Sequence, residues 1–160
     1  MDSSLFTPKC TLVPSRCFDE SESRELLGRV WQLSDDDQVK WVSVPSQDAV
    51  LVYAYSGRED NSCLPEMFYV LDSLQHCPDF NKIVASICGG YLYLAVGQGE
   101  RLLIANAFKS VDFTTAEYYI FYVLKSLQIN PEQSVISFRT PLSQEEERSL
   151  YRYFKDVTRL

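Results

Sequence analysis

The sequence predicts an α/β protein in which helices flank a mixed sheet. Two patterns predict it. From Asn81 onward, three consecutive runs of strand-forming residues, KIVASIC, YLYLAVGQ and RLLIANAF, are joined by short glycine-bearing turns and followed by a helix, a fourth strand and another helix. Before Asn81 the order is strand, helix, hairpin, helix. A meander that feeds a strand-helix-strand crossover lays its helices against the sheet, which gives the α/β class.

The elements follow in chain order. Lys9 to Val13, stopped by Pro14, reads as a short strand. Asp19 with Glu22 resembles a capping box ahead of Leu26, Leu27, Val30 and Trp31, whose spacing predicts a helix with one buried face. The run Asp35 to Gln38 ends that helix and reads as a solvated turn rather than a metal site. VKWVSVP and DAVLVYAYS, rich in Val, Trp and Tyr, form a hairpin around Pro45-Ser46-Gln47-Asp48. SGREDNS, from Ser56 to Ser62, is the most polar break and the candidate linker. Leu64, Met67, Phe68, Leu71 and Leu74 then mark a helix that stops by Pro78.

In the second half, Gly89-Gly90 and Gly97-Gln98-Gly99-Glu100 supply the turns of the meander. Thr114 and Glu117 read as a capping box for a helix reaching about Gln128, with Ile120, Phe121, Leu124 and Leu127 inward and Pro131 beyond its end. Ser134 to Phe138 is the fourth strand. Ser143 and Glu146 form a further capping box, and Leu150, Tyr151 and Phe154 give the last helix its apolar side. The expected division is 1–78, a partial subdomain of strand, helix, hairpin and helix, and 79–160, a second subdomain.

Composition narrows the function classes. With 22 acidic against 15 basic residues, the formal net charge of -7 disfavours generic attraction to nucleic acid or an anionic lipid surface. No apolar run reaches the roughly 18 residues that a membrane span needs, and the start MDSSLFTPK lacks the features of a signal peptide, so a cytoplasmic protein is expected. The five cysteines include no CxxC pair and read as reduced thiols, mostly small core residues.

The order strand-strand-strand-helix-strand-helix is that of ribonuclease H-like domains, two of which make up actin-like ATPases. TLVPSRCF (Thr11 to Phe18), AVLVYAY (Ala49 to Tyr55) and the stretch from Leu102 to Gln133 resemble a family of uncharacterised bacterial proteins, a domain of unknown function common in Bacteroidetes. Asn106, Phe108, Tyr118, Tyr119 and Asn130-Pro131 carry the most specific part of that resemblance. It implies an actin-like ATPase fold similar to the pilus-assembly actin homologue. Members of the family are longer, with a strand meander before the region matching Met1 and more sheet after Leu160.

That fold directs attention to SICGGYLYLAV, from Ser86 to Val96. Actin-like ATPases carry a phosphate-binding hairpin of the type DIGGGTTDIAV, in which glycines admit backbone amides to the phosphates and the leading Asp orients metal or water. Here Ser86 stands at the Asp position, Cys88 at the first Gly, and Gly89 and Gly90 match, while Tyr91, Leu92 and Tyr93 replace Thr, Thr and Asp. A plain tight hairpin is the first reading, a decayed phosphate loop the second, a working loop the last. Ser86, Gly89 and Gly90 are the candidate cofactor-binding positions, as a remnant. No cofactor or metal is expected. The companion meander that completes an actin-like cleft has no counterpart in these residues, so ATP hydrolysis is not expected either.

A nuclease reading requires carboxylates on the first strand, first helix and fourth strand to hold two metals. Ser86, Glu117 and the acid-free run SVISFRT do not provide them, and Glu117 is assigned to the capping box. His76, the sole histidine, reads as a partly exposed residue at a helix end rather than a ligand with Cys63 or Cys77, or a base for Cys88. Tyr118, Tyr119 and Tyr122 on one helix, with Tyr91 and Tyr93 on a strand, read as core-edge residues able to form a contact surface. The expectation is a non-catalytic protein acting through a protein partner or self-association, with an ATP-binding protein completed by other segments or a dimer as the alternative.

Overall fold

Eight strands and four helices occur among residues 4–57 and 62–160, which the computed structural model describes. The chain forms two compact units, Met1–Tyr69 and Val70–Leu160. The centre of the polar break, 58–61, lies outside the described residues.

In the first unit, β1 (Cys10–Pro14), β2 (Asp37–Val44) and β3 (Ala49–Ser56) form an antiparallel sheet in the order β1-β3-β2. β3 is central, which explains a run of apolar residues with no polar alternation: it is buried from Ala49 to Tyr55. Val50, Val52 and Ala54 pack with Val13 and Leu27, and Leu26, Trp31 and Phe18 close this core. The expected hairpin between β2 and β3 is present, with a 3-10 turn at Pro45–Gln47 and Asp48 in the left-handed region at φ 48°.

Three local expectations are corrected here. α1 (Ser23–Gly28) is shorter than predicted, leaving Val30 60% exposed, while the Trp31 indole leaves the helix to donate to the Cys10 carbonyl at 3.1 Å. Asp19 accepts the Ser21 amide at 3.0 Å and caps a 3-10 turn at Glu20–Glu22 instead of forming a box with Glu22. The acid run is not wholly a solvated turn. Asp37 opens β2 and is buried, because Lys9, 28 residues away, reaches it at 2.7 Å and the Ser34 amide donates to it at 2.9 Å.

α2 (Glu66–His76) ends before Pro78, as its spacing predicts. The second unit holds β4 (Asn81–Cys88), β5 (Tyr91–Gln98), β6 (Arg101–Lys109), α3 (Phe113–Ser126), β7 (Val135–Phe138), α4 (Gln144–Tyr151) and β8 (Asp156–Arg159). Its sheet runs β6-β5-β4-β7-β8. The meander pairs are antiparallel, whereas β4 with β7 and β7 with β8 are parallel. β8 was not expected.

Alternation decides which face carries the core. Ile83 and Ala85 of β4, Leu92, Leu94 and Val96 of β5, Ile136 and Phe138 of β7, and Val157 of β8 pack with Ile120, Val123 and Leu124 of α3 and with Leu150 and Phe154. Phe121 and Leu127 pack against this cluster from its margin, and Tyr151 is 48% exposed rather than inward. α4 begins with the expected capping box of Ser143 and Glu146. α3 does not begin with the expected one. Its N-cap is Asp112, which accepts the Thr115 amide at 2.7 Å, two residues earlier than Thr114.

Candidate functional site

Ser86 to Val96 becomes the end of β4, a two-residue turn and most of β5. Gly89 and Gly90 have φ of 61° and 80°. Positive φ at both central residues is the type I′ arrangement, whose twist suits a two-residue hairpin and which glycine adopts without strain. A Cβ built on either glycine meets nothing within 4 Å, so backbone conformation, not crowding, calls for glycine here. The Gly90 carbonyl accepts the Ser110 amide at 2.7 Å and fixes the chain leaving β6 beside the turn.

The two glycines are exposed, but Ser86 is fully buried inside β4, in register with buried Tyr93 of β5. The structure therefore does not bring the three candidate positions onto one open surface. Just beyond Ser86, the segment after β7 fastens to β4. The Arg139 amide donates to the Ala85 carbonyl at 3.0 Å, and the Ile87 amide donates to the Thr140 hydroxyl at 2.9 Å. A ligand over the turn would meet two glycine backbones and half-buried Tyr91 and Cys88, none of which supplies negative charge for a metal.

The other candidate groups have structural partners. Glu117 accepts the Ser149 hydroxyl at both carboxylate oxygens, 2.9 and 3.1 Å, and so ties α3 to α4. His76 is exposed at the end of α2, with Nδ1 2.8 Å from the Asp72 carbonyl. The Cys77 thiol donates to Asp79 at 3.5 Å, and burial pushes it up from its ordinary pKa. Burial pushes Cys10 up to about 12. Both thiols are thus poor nucleophiles. Among the described residues the cysteines are free, and no three His, Cys, Asp or Glu side chains gather to hold a metal. In the first unit a cavity of about 160 Å³ is lined by Phe6, Thr7, Lys9, Asp37 and Tyr55, with its two charges paired to each other.

The tyrosines are arranged differently from the glycine turn. Phe108 of β6 stacks on Tyr119 of α3 at 5.0 Å and 18°. Tyr118 meets Tyr119 edge-on at 5.6 Å and stacks on Tyr122 at 6.3 Å and 21°. This ladder climbs from the sheet edge to the outer face of α3, where Tyr118 and Tyr122 are 63% and 58% exposed. Tyr93 is not part of it, being buried in the sheet. Sequence reasoning did not assign Phe108 to this surface. The signal was present, since Ile104, Asn106 and Phe108 share one face of β6 by alternation and pair with Val96, Leu94 and Leu92 of the core face.

The sheet order and the hairpin at its centre define the class. The chain has the actin-like ATPase fold, and it is similar to a crystal structure from Bacteroides thetaiotaomicron VPI-5482 of a protein with that fold and unknown function. The TM-score is 0.77 at 18% identity, over 96% of this chain and 65% of the other, so this chain spans less than two thirds of its relative. Residues 5–157 match the family model described as Protein of unknown function (DUF3822), and the chain belongs to that family. No curated protein sequence matches it. Among the described residues no helix is long and apolar enough to cross a membrane.

Proposed function

We propose that this is a non-catalytic member of the actin-like class that works through protein contact, by way of the aromatic ladder of the second unit. The observation that supports the reading is the stacked set Phe108, Tyr119, Tyr118 and Tyr122, whose outer two rings are mostly exposed. Aromatic side chains offer large, stiff contact area, and a ladder already stacked loses little further freedom when a partner covers it. The glycine turn, lacking an acid and having its leading Ser86 buried, supports a structural role for that hairpin.

The test compares wild type with the double variant Tyr118→Ser, Tyr122→Ser as bait for binding proteins from the native host, with sedimentation velocity to detect self-association. Retention of a protein, or a dimer, by wild type and its loss in the double variant is the expected result. Equal behaviour of the two would overturn it. The alternative, ATP binding in a site completed by further segments, draws on the 65% coverage of the structural relative. Calorimetry with magnesium ATP separates the readings. Micromolar binding that disappears on bulky replacement of Gly89 or Gly90 would favour the alternative.

A further inference from the structure

We infer that the ladder is one wall of a strand-addition site: β6 accepts an extended segment of another protein, with acidic residues at both ends, as a sixth strand. The inference rests on the contact reading above and specifies its geometry and partner.

β6 is the end strand of its sheet, paired among the described residues with β5 alone. An end strand presents unpaired backbone donors and acceptors to any extended chain that fits. The outward amides can be identified. The Ser110 amide points to Gly90 on the β5 side, so by alternation the Lys109, Ala107 and Ala105 amides point away from β5; that of Ala107 is already satisfied by the Asn106 side-chain oxygen at 2.9 Å, which an incoming carbonyl would have to displace. Ala105 and Lys109 carry the outward amides that remain on this edge. From Ile104 to Lys109 the pairing with β5 is unbroken, and the register shifts only before that, between Val96 and Gly97. A regular edge therefore runs for six residues beside Phe108, the foot of the ladder. Alternate side chains of an added strand would lie on the α3 face of the sheet, against Phe108, Tyr119 and Tyr122.

Charge selects the occupant. Arg101 and Lys109, the two ends of β6, are exposed, and neither forms an ion pair among the described residues. Lys125 continues the exposed helix stripe of Tyr118 and Tyr122 at the i+7 and i+3 positions, and is exposed and unpaired in the same sense. A second copy of β6 would bring the same two cations to this edge, and like charges brought close together are unfavourable, so the edge disfavours its own copy. A segment with Asp or Glu at both ends satisfies both cations whichever way it runs.

The probe is a random nine-residue peptide library displayed on phage, selected on the full chain, with enriched peptides then synthesised and measured by fluorescence anisotropy. The expected peptides alternate apolar and polar residues between acidic ends. Ala105→Pro removes one outward amide while leaving the β5 ladder intact, and should weaken binding by about tenfold or more. Arg101→Glu with Lys109→Glu should weaken the same peptides and select basic ends instead. Circular dichroism checks that both variants fold, and the surface charge reversal stands as the second test should the proline variant unfold. Peptides lacking charged ends, or binding indifferent to both variants, would overturn strand addition. If such binding is still lost in Tyr118→Ser, Tyr122→Ser, the contact reading survives and only the strand mode fails. If no peptide is enriched and no partner or dimer is found, both fail.

Discussion

β4 and β6 belong to one sheet, separated by β5 alone and eight and nine residues long, yet they carry opposite potential for function. β4 is central and buried from Lys82 to Ser86, with strands on both sides. β6 is terminal, exposes Arg101, Asn106 and Lys109, and has an aromatic ladder beside it. The hairpin that opens from β4 carries no acid at its leading position, which is the buried Ser86. The middle of the sheet is buried, and the exposed charged groups are at its edge.

The strongest way to break that comparison is to place an acid at Ser86. Ser86→Asp places a carboxylate at a fully buried position and should cost about 3–5 kcal/mol, read as a lowered urea midpoint. A stable variant that also gains magnesium-dependent ATP binding would show that β4 keeps a working pocket beside it.

The first unit shows what a buried carboxylate requires. Asp37 has the Lys9 ammonium at 2.7 Å and the Ser34 amide at 2.9 Å, and the Arg24 guanidinium braces the same corner through the Asp37 and Ser34 carbonyls. The Lys9 hydrogen bond, followed by that from Ser34, holds its carboxyl below the usual range. The folded pKa thus lies below the unfolded one. The stabilisation is complete above the unfolded value of about 4 and fades as pH falls through the folded one. Asp37→Asn should cost about 1.5–3 kcal/mol at neutral pH and flatten the acid limb of a stability-against-pH curve below pH 4. An unchanged acid limb would show that the pair contributes nothing.

Asp37 also illustrates what the sequence could not disclose. Three adjacent acids predict solvent, and only a partner 28 residues upstream reverses that for one of them. Glu117 is similar: a capping box with Thr114 satisfies local rules, but Asp112 takes the cap and Glu117 binds Ser149 across the helix pair. β8 escaped notice because DVTR buries only Val157 and has neither an apolar run nor a clear alternation. By contrast, the meander was legible from its apolar runs and glycine turns, since β4 and β5 are central and cannot tolerate polar residues on the core face. Of the candidate site, the turn was legible and the burial of Ser86 was not. The ladder was half legible, as helical spacing groups Tyr118 with Tyr122, while placing Phe108 beside them takes the strand alternation of β6 and its register with β5.

Smaller substitutions sharpen the contrast at the turn itself. Gly90→Ala forces a Cβ into φ of 80° and should cost about 1 kcal/mol, with Gly90→Asn costing less because Asn tolerates the left-handed region. Open space around the turn predicts no added steric cost for either. Thermal unfolding measures the difference. Equal losses for Ala and Asn would mean that something other than backbone conformation keeps glycine there.

The least effect on stability is expected at the edge. Tyr118 and Tyr122 are exposed on the outer face of α3, where their rings stack on one another and Tyr118 meets Tyr119 edge-on. Tyr118→Ser with Tyr122→Ser should change the unfolding free energy by only about 0.5–1 kcal/mol, since exposed rings bury little area on folding and forfeit mainly their mutual stacking. Ser86→Asp then separates from this pair by a factor of several in stability, while association should rank them in reverse. A large loss of stability in the tyrosine variant would place the ladder with the core, as a buttress between α3 and β6, and would remove the reason to regard it as a surface kept for a partner.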